Sequence, residues 1–231
     1  MWHPQVEVAP LGWRMIAPDY RGFGQSSPSS SPKTTMNDLA GDAIDLLDRL
    51  EITEAVVAGC SMGGYVAFEL FQSAPNYVKG LVLIDTRAGA DSEEGRAARR
   101  KMLETIEKGG SEAIADDMTP KLLGATTRRD RPELVKHIQH MIGSANPAAI
   151  KMAVTAIMDR KDMTAFLNDI NVPTLIIAGA EDTLIPAAAI QQMHGAIKKS
   201  ELATIPFAGH LPNLEQSAPF DVELQRFLQR F

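Results

Sequence analysis

The chain has 231 residues, of which 45% are hydrophobic and 23% are charged, so it is long enough to bury the core of one sizeable domain. Its net charge of −6 offers no broad positive surface to nucleic acid, and its single cysteine excludes an internal disulfide framework. No apolar run is long enough to span a bilayer, and the first residues lack the pattern of a signal peptide. We therefore expect a cytoplasmic protein without a nucleic-acid or membrane partner.

Short apolar runs predict five β-strands that are buried on both faces. In chain order they lie at 13–17, 55–58, 81–84, 174–178 and 202–205. Helical spacing of apolar side chains predicts a helix over 36–50, which Thr34 and Thr35 precede, and a last helix over 220–231. This alternation is typical of an α/β fold with a mostly parallel sheet.

Between residues 88 and 170 the strand pattern disappears. Helical patterns replace it at 93–108, 111–118, 132–142 and 147–158. A helical insertion between two core strands is most simply a cap over the carboxyl ends of the sheet. We therefore predict a core formed by 1–88 and 171–231 and a helical cap at 89–170. Six of the 11 methionines fall in this cap, where helix packing explains them at least as well as an apolar ligand does.

Residues 59–64, Gly-Cys-Ser-Met-Gly-Gly, place a serine on the turn between an apolar strand and an amphipathic helix. The serine of such a nucleophile elbow has a strained backbone, so the positions two before it and two after it must be small. Gly59 and Gly63 meet that need. The pattern predicts Ser61 as a catalytic nucleophile, although a glycine-rich turn with an incidental serine fits the bare motif equally.

A serine hydroxyl attacks well only when a base takes its proton and a carboxylate orients that base. His210 is the candidate base, because it lies in a loop between an apolar strand and a new helix. The remaining histidines lie in helical or terminal sequence: His3, His137, His140 and His194. Asp182, after the strand that precedes the His210 strand, is the candidate acid. Its neighbour Glu181 and Asp85, which ends another strand, are the alternatives.

Four motifs, in this order, resemble those of the α/β-hydrolase fold, in particular the carboxylesterase, enol-lactonase and non-haem haloperoxidase-like group. They are Asp-Tyr-Arg-Gly-Phe-Gly-Gln-Ser at 19–26, the elbow at 59–64, Gly-Ala-Glu-Asp-Thr-Leu-Ile-Pro at 179–186 and Gly-His at 209–210. The resemblance covers almost the whole chain. It implies that Ser61 is the nucleophile, that His210 is its general base and then acid, and that Asp182 orients His210. It also implies that the Met62 backbone amide is one oxyanion donor.

The chain departs from this family at its beginning. In the family, three strands and a loop with a His-Gly motif precede the segment that resembles residues 1–10, and that loop supplies the second oxyanion amide. The third of those strands lies between the next two, so 13–17 must pair directly with 55–58 unless another segment or chain fills the gap. The second oxyanion donor is therefore unknown, with Trp2, Phe23 and an amide near 22–24 as candidates. A homo-oligomer is one way to cover the open sheet edge.

These features predict a serine hydrolase that acts on a carboxylic ester or lactone through an acyl-enzyme. A perhydrolase or haloperoxidase-like reaction would use the same residues with peroxide in place of water. The non-enzymatic alternative is a truncated, weakly active or inactive module that depends on a partner. Neither metal-ligand spacing nor a glycine-rich phosphate cradle is present, so we expect no metal and no cofactor. Arg87 is read as an outward structural residue, or else as a contact for an acidic substrate.

Overall fold

A four-stranded parallel sheet forms the centre of the computed structural model, which describes residues 1–29, 31 and 33–231. Ser30 and Pro32, in the serine- and proline-rich loop that the sequence predicts at the surface, lie outside the described residues. The strands lie side by side in chain order and every neighbouring pair is parallel. They are β1 Ala55–Cys60, β2 Val78–Ile84, β3 Thr174–Gly179 and β4 Ser200–Ile205. The predicted α/β class is thus confirmed.

Helices connect these strands and cover the sheet. In chain order they are α1 His3–Glu7, α2 Met36–Arg49, α3 Met62–Ser73, α4 Glu93–Leu122, α5 Ala125–Asp130, α6 Pro132–Gly143, α7 Pro147–Met158, α8 Ala187–Ala196, α9 Pro212–Glu215 and α10 Ser217–Leu228. Short 3₁₀ turns lie at Pro75–Tyr77 and Ala165–Asp169. Helix α2 begins where the sequence predicts, because Thr35 and Asp38 form a reciprocal capping box.

The two faces of β2 pack against different helices, as expected for a strand buried on both sides. Leu81 and Leu83 belong to the apolar cluster that contains Phe68 of α3. Val82 and Ile84 belong to a second cluster, which contains Phe220 and Phe227 of α10. The sheet is therefore the middle layer of a helix–sheet–helix sandwich, and its carboxyl edge is the place where loops from β1, β3 and β4 can meet.

The prediction of a strand at 13–17 is wrong. No backbone hydrogen bond joins this segment to β1 among the described residues, and a cavity of about 450 Å³ is lined by residues 13–17 and by residues 55–58 of β1. Other contacts hold the segment: the Trp13 ring meets the Phe231 ring edge-on at 6.1 Å, and the Trp13 amide donates to Pro10 O. An apolar run becomes a strand only beside a ladder partner, so the sheet has four strands rather than the five predicted, and β1 is an edge.

The segment predicted as a cap is helical in the structure, from α4 to α7. Helix α4 is longer than predicted, because the two expected helices run together across Gly110, whose φ of 66° and ψ of −158° break the helical path. Helices α6 and α7 both pack against α4. The division into a core of 1–88 with 171–231 and a cap of 89–170 stays a prediction.

Within the described ranges, no helix combines the length and the apolar character needed to cross a membrane. The expected location in the cytoplasm stays a prediction.

Candidate active site

The backbone at Ser61 adopts the strained conformation that a nucleophile elbow requires. Its φ of 52° and ψ of −112° lie where a residue with a side chain costs about 1–3 kcal/mol. Three hydrogen bonds hold this geometry. The Ser61 amide donates to Ile84 O at 2.8 Å, while Ser61 O accepts from the Gly64 amide at 3.0 Å and from Thr86 Oγ1 at 2.8 Å. The fold therefore fixes Ser61 between β1 and α3, at the carboxyl edge of the sheet.

The glycines around the elbow differ in how strictly they are needed. A Cβ on Gly59 would lie 2.2 Å from the Gly63 carbonyl, and one on Gly64 would lie 2.4 Å from Thr86 Oγ1. A Cβ on Gly63 would meet only Tyr20 Oη, at 3.7 Å, which is an ordinary contact. The crowding expected at Gly59 is present, whereas the second tight position is Gly64 rather than Gly63. The sequence could not show this because Thr86 comes from a distant segment.

The structure brings His210 and Asp182 together. His210 Nδ1 lies 2.8 Å from Asp182 Oδ2, and both side chains are 3% exposed. Asp182 Oδ1 accepts from the Leu184 amide at 2.8 Å, which fixes the carboxylate. A carboxylate at Nδ1 favours the tautomer with the proton on that nitrogen, so Nε2 is left to accept a proton. The two residues follow the adjacent strands β3 and β4.

The alternative acids have other partners. Glu181 accepts from the Thr126 amide at 2.8 Å and from Thr126 Oγ1 at 2.5 Å, so it faces the helical segment rather than His210. Asp85 is buried and accepts from the Gly179 amide at 2.9 Å. Burial, and then the nearby charge of Asp182, raises the pKa of Asp85 well above its usual range. Asp85 is thus a poor partner for an imidazolium, because it favours the neutral form.

His210 also lies beside the elbow. The Cys60 thiol donates to His210 O at 3.5 Å, so the residue before Ser61 touches the candidate base. Burial raises the pKa of the Cys60 thiol well above its usual range, which keeps this sulfur un-ionised. No hydrogen bond joins Ser61 Oγ to the His210 ring among the described residues; catalytic contacts of this kind often tighten only when substrate binds.

Of the two oxyanion donors that such a site needs, only one has a candidate in the structure. Met62 is the first residue of α3, and the amides of a helix's first turn have no acceptor within the helix. Two other candidate amides are already in use, since Gly22 donates to Ser27 O and Phe23 donates to Tyr20 O. Trp2 packs on Phe220, with ring centroids 6.5 Å apart, and lines the cavity beside β1. These contacts leave the second donor unassigned.

Arg87 has the structural role that the sequence suggested, as part of an ion network around the buried Asp91. It pairs with Asp91, whose side chain has no exposed surface and which also contacts Arg160 Nη1 at 2.9 Å and Arg99 Nε at 3.2 Å. Burial alone would raise the pKa of Asp91, but the charges of Arg160 and Arg99 outweigh it and lower that pKa. The Arg160 guanidinium also stacks on Tyr65, 4.2 Å from the ring centre. The network joins the segments that enter α4 and leave α7.

In the part of the chain that the structure describes, no cluster of three or more His, Cys, Asp or Glu side chains is arranged to hold a metal ion.

Comparison with known proteins places this geometry in a family. Residues 1–222 match the family model described as the alpha/beta hydrolase family. 3-Oxoadipate enol-lactonase 1 of Acinetobacter baylyi is 31% identical over 224 residues, which cover 95% of this chain and 80% of the relative. A protein of Rhizobium rhizogenes, provisionally named carbamate hydrolase RutD, is 25% identical over 233 residues, 99% of this chain and 87% of the relative.

A solved structure is similar along almost the whole chain. The thermophilic esterase of Thermogutta terrifontis, with malate bound, superposes with a TM-score of 0.94 at 35% identity, over 99% of this chain and 84% of the esterase. The chain belongs to the alpha/beta hydrolase family. The resemblance inferred from the four sequence motifs and the prediction of a hydrolase are thus confirmed.

Proposed function

We propose that the protein is a serine hydrolase that cleaves a small carboxylic ester or lactone. The observation that carries this proposal is the 2.8 Å contact between His210 and Asp182 beside the strained Ser61. The names of the relatives support the substrate class, since an esterase and an enol-lactonase are among them. At this edge of the sheet, the side chains of His210 and Asp182 are buried and Ser61 is half-buried.

In the proposed reaction, Ser61 Oγ attacks the carbonyl carbon while its proton passes to His210 Nε2. Asp182 stabilises the imidazolium that forms, and the Met62 amide donates to the oxyanion. Collapse of this intermediate breaks the bond to the leaving oxygen, which takes the proton from His210. Water then attacks the acyl-enzyme while His210 takes its proton; collapse of this second intermediate breaks the bond to Ser61 Oγ, which takes the proton from His210, and releases the acid. With a lactone, the leaving hydroxyl stays in the same molecule as the acid.

The test is hydrolysis of a short p-nitrophenyl ester and of a small lactone by the wild type and by Ser61→Ala. We expect the variant to match the buffer blank, and mass spectrometry of the quenched wild type to show an acyl group on the Ser61 peptide. Equal rates for the two proteins would refute the nucleophile. Adding peroxide tests the perhydrolase reaction, which predicts peracid formation that also depends on Ser61.

The cavity beside β1 favours a second candidate, a module whose function depends on a partner. Strand β1 has no outer neighbour among the described residues, and Ala58 in its middle is exposed. Large exposed apolar side chains are concentrated at the beginning of the chain: Met1, Val6, Val8, Leu11 and Ile16. Open strand edges and apolar patches favour association. We propose that a second copy of the chain covers this edge.

Sedimentation velocity of the wild type and of Ala58→Lys tests the association. We expect the wild type to sediment as a dimer of 25.1 kDa chains and the variant as a monomer, since the lysine puts a charge into the apolar cavity. Gly41→Lys is the control, because this position on α2 is open to solvent. A wild type that stays monomeric at 100-fold different concentrations would contradict the proposal.

A further inference from the structure

Glu215 carries a buried carboxylate that binds only backbone amides. It is 1% exposed, and no lysine, arginine or histidine forms an ion pair with it among the described residues. Its Oε1 accepts from the Gly209 amide at 2.9 Å and from the Leu211 amide at 3.1 Å. Its Oε2 accepts from the Gly124 amide at 2.7 Å. Such donors replace the water that a carboxylate loses on burial, so the contacts are strong and directional.

Two of these three amides belong to the residues on either side of His210. The Glu215 carboxylate therefore holds the backbone of the candidate base before and after the side chain that must meet Asp182. A backbone that is fixed at both neighbours leaves the ring little freedom to leave its partner. This contact was not visible in the sequence, where Glu215 reads only as one of several acidic residues after the histidine.

The third amide belongs to the segment 122–126, which joins α4 to α5 within the predicted cap. The same segment accepts a bond from the His210 amide at Leu122 O, 2.9 Å away. It also reaches the other catalytic loop, because Thr126 donates to Glu181, the neighbour of Asp182. The backbones touch without side chains between them: a Cβ on Gly209 would lie 2.3 Å from the Gly124 nitrogen.

We propose that Glu215 is a positioning residue that holds His210 in register with Asp182 and couples that register to the segment 122–126. The inference rests on the proposed function, since the kinetic readout needs a working triad. It predicts that a structural change in the segment 122–126, far from the reacting atoms, alters the position of His210 through the Glu215 carboxylate. Substrate need not touch Glu215 for this effect.

The chemistry of the side chain predicts how two substitutions differ. Glutamine has only one acceptor oxygen. That oxygen can accept from the two amides beside His210 or from the Gly124 amide, but not from both sets. At the set that it does not reach, its NH₂ group would lie against an N–H donor. Alanine removes all three contacts and leaves the amides buried without acceptors. We therefore expect a graded series in which Glu215→Gln is impaired and Glu215→Ala is impaired more.

The experiment measures kcat and KM for a p-nitrophenyl ester in Glu215→Ala and Glu215→Gln at a temperature where near-UV circular dichroism shows both to be folded. We expect kcat of Glu215→Ala to fall about 10²-fold, because a small misplacement of a catalytic group costs that much, with KM changed less than about 3-fold. The kcat of Glu215→Gln should fall about 10-fold. The pH profile of kcat/KM should shift in both, because the environment of the base has changed.

Glu69→Gln is the matched control. Glu69 is also buried, at 5% exposure, and pairs with Lys161 Nζ at 2.8 Å in another part of the fold. This variant should lose stability but keep kcat and the pH profile. The inference fails if Glu215→Ala, with a lowered unfolding midpoint, keeps the kcat and pH profile of the wild type. If Glu215→Ala does not fold, Gly124→Ala takes its place, since the new Cβ would press on the Gly209 nitrogen at 2.9 Å as well as on Glu181 Oε2 at 2.6 Å.

A proton NMR readout separates this inference from the proposed function. The proton between His210 Nδ1 and Asp182 should give a downfield signal in the wild type and in Glu69→Gln. We expect that signal to shift or broaden in Glu215→Gln whether or not the protein turns over an ester. A wild type with no Ser61-dependent hydrolysis but with this NMR response would refute the hydrolase and support the positioning role. An unchanged signal in an active Glu215→Gln would do the opposite.

Discussion

The β3–β4 side and the β1 side of the sheet differ in how closely other segments pack against them and how many backbone hydrogen bonds they form. At the β3–β4 side, the acid and histidine loops touch so closely that a Cβ on Gly179 would lie 1.8 Å from Gly209 O, and hydrogen bonds join both loops to the segment 122–126. At the β1 side, a 450 Å³ cavity lies along the strand edge and residues 13–17 make no ladder with it. Asp182 and His210, the proposed acid and base, are thus held in place by their surroundings, whereas the edge of β1 is open.

The largest effect should come from the preorganised side. Asp182→Asn keeps the size of the side chain but removes the charge that orients His210, so kcat should fall by about 10³- to 10⁴-fold. Asp85→Asn is the control, since Asp85 lies nearby but does not bond to the ring, and it should keep kcat within about 10-fold. Ester hydrolysis under saturating substrate measures both. Comparable losses in the two variants would mean that the acid has been misassigned.

The second largest effect should come from the ion network around Asp91. Asp91→Asn leaves Arg160, itself 6% exposed, without its counter-charge, so the free energy of unfolding should fall by about 3–5 kcal/mol. The folded pKa of Asp91 is lowered, so its contribution is present above the unfolded pKa of about 3.9 and is lost as the pH falls through the folded pKa. Urea unfolding should show the full difference at pH 7 and a smaller one near pH 3. A difference that does not change with pH would argue against the ion pair.

A matched pair of valines compares the packing of the open edge strand β1 with that of its inner neighbour β2. Val78→Ala in β2 removes two carbons from a buried position, which should cost about 1.5–2 kcal/mol. Val57→Ala in β1 removes the same atoms from a side chain that borders the cavity, so it should cost about half as much. Urea unfolding of both variants, at a concentration low enough for the protein to be monomeric, gives the ratio. Equal losses under these conditions would show that the monomer packs both positions equally well.

The smallest effect concerns the neutral acid at the end of β2. The folded pKa of Asp85 is raised, so the folded state keeps a proton that the unfolded chain releases above about pH 4. The contribution of Asp85 to the free energy of unfolding therefore falls as the pH rises from the pKa of the unfolded chain towards the pKa in the folded protein. Asp85→Asn has no such contribution, so its free energy of unfolding relative to the wild type should increase as the pH rises from 5 to 8. A constant difference across this range would show that Asp85 is ionised in the fold.

Local patterns predicted most of the fold correctly. The four apolar runs that became strands each lie beside another strand, and the capping box at Thr35 set the start of α2 without help from distant residues. The run at 13–17 is also mostly apolar but lacks a ladder partner among the described residues. Whether an apolar run is a strand depends on its neighbour, which no local pattern contains.

The site was predictable where chain order carries the information. Serine, acid and histidine each follow a parallel strand, so their meeting at one edge follows from topology. The choice between Asp182 and Glu181 depends on which way a single turn points. The roles of Arg87, Gly64 and Glu215 depend on contacts with residues 4 to 91 positions away.

The buried Cys60 thiol, next to the proposed nucleophile Ser61, can report how often the segment around it opens. Cys60 is the single cysteine, it is 8% exposed, and its sulfur rests on His210 O. A thiol reagent can react there only after the histidine loop has moved away, so the labelling rate at low reagent concentration reports the free energy of that local opening. The same measurement on any variant separates a weakened loop from a weakened fold without the use of a substrate.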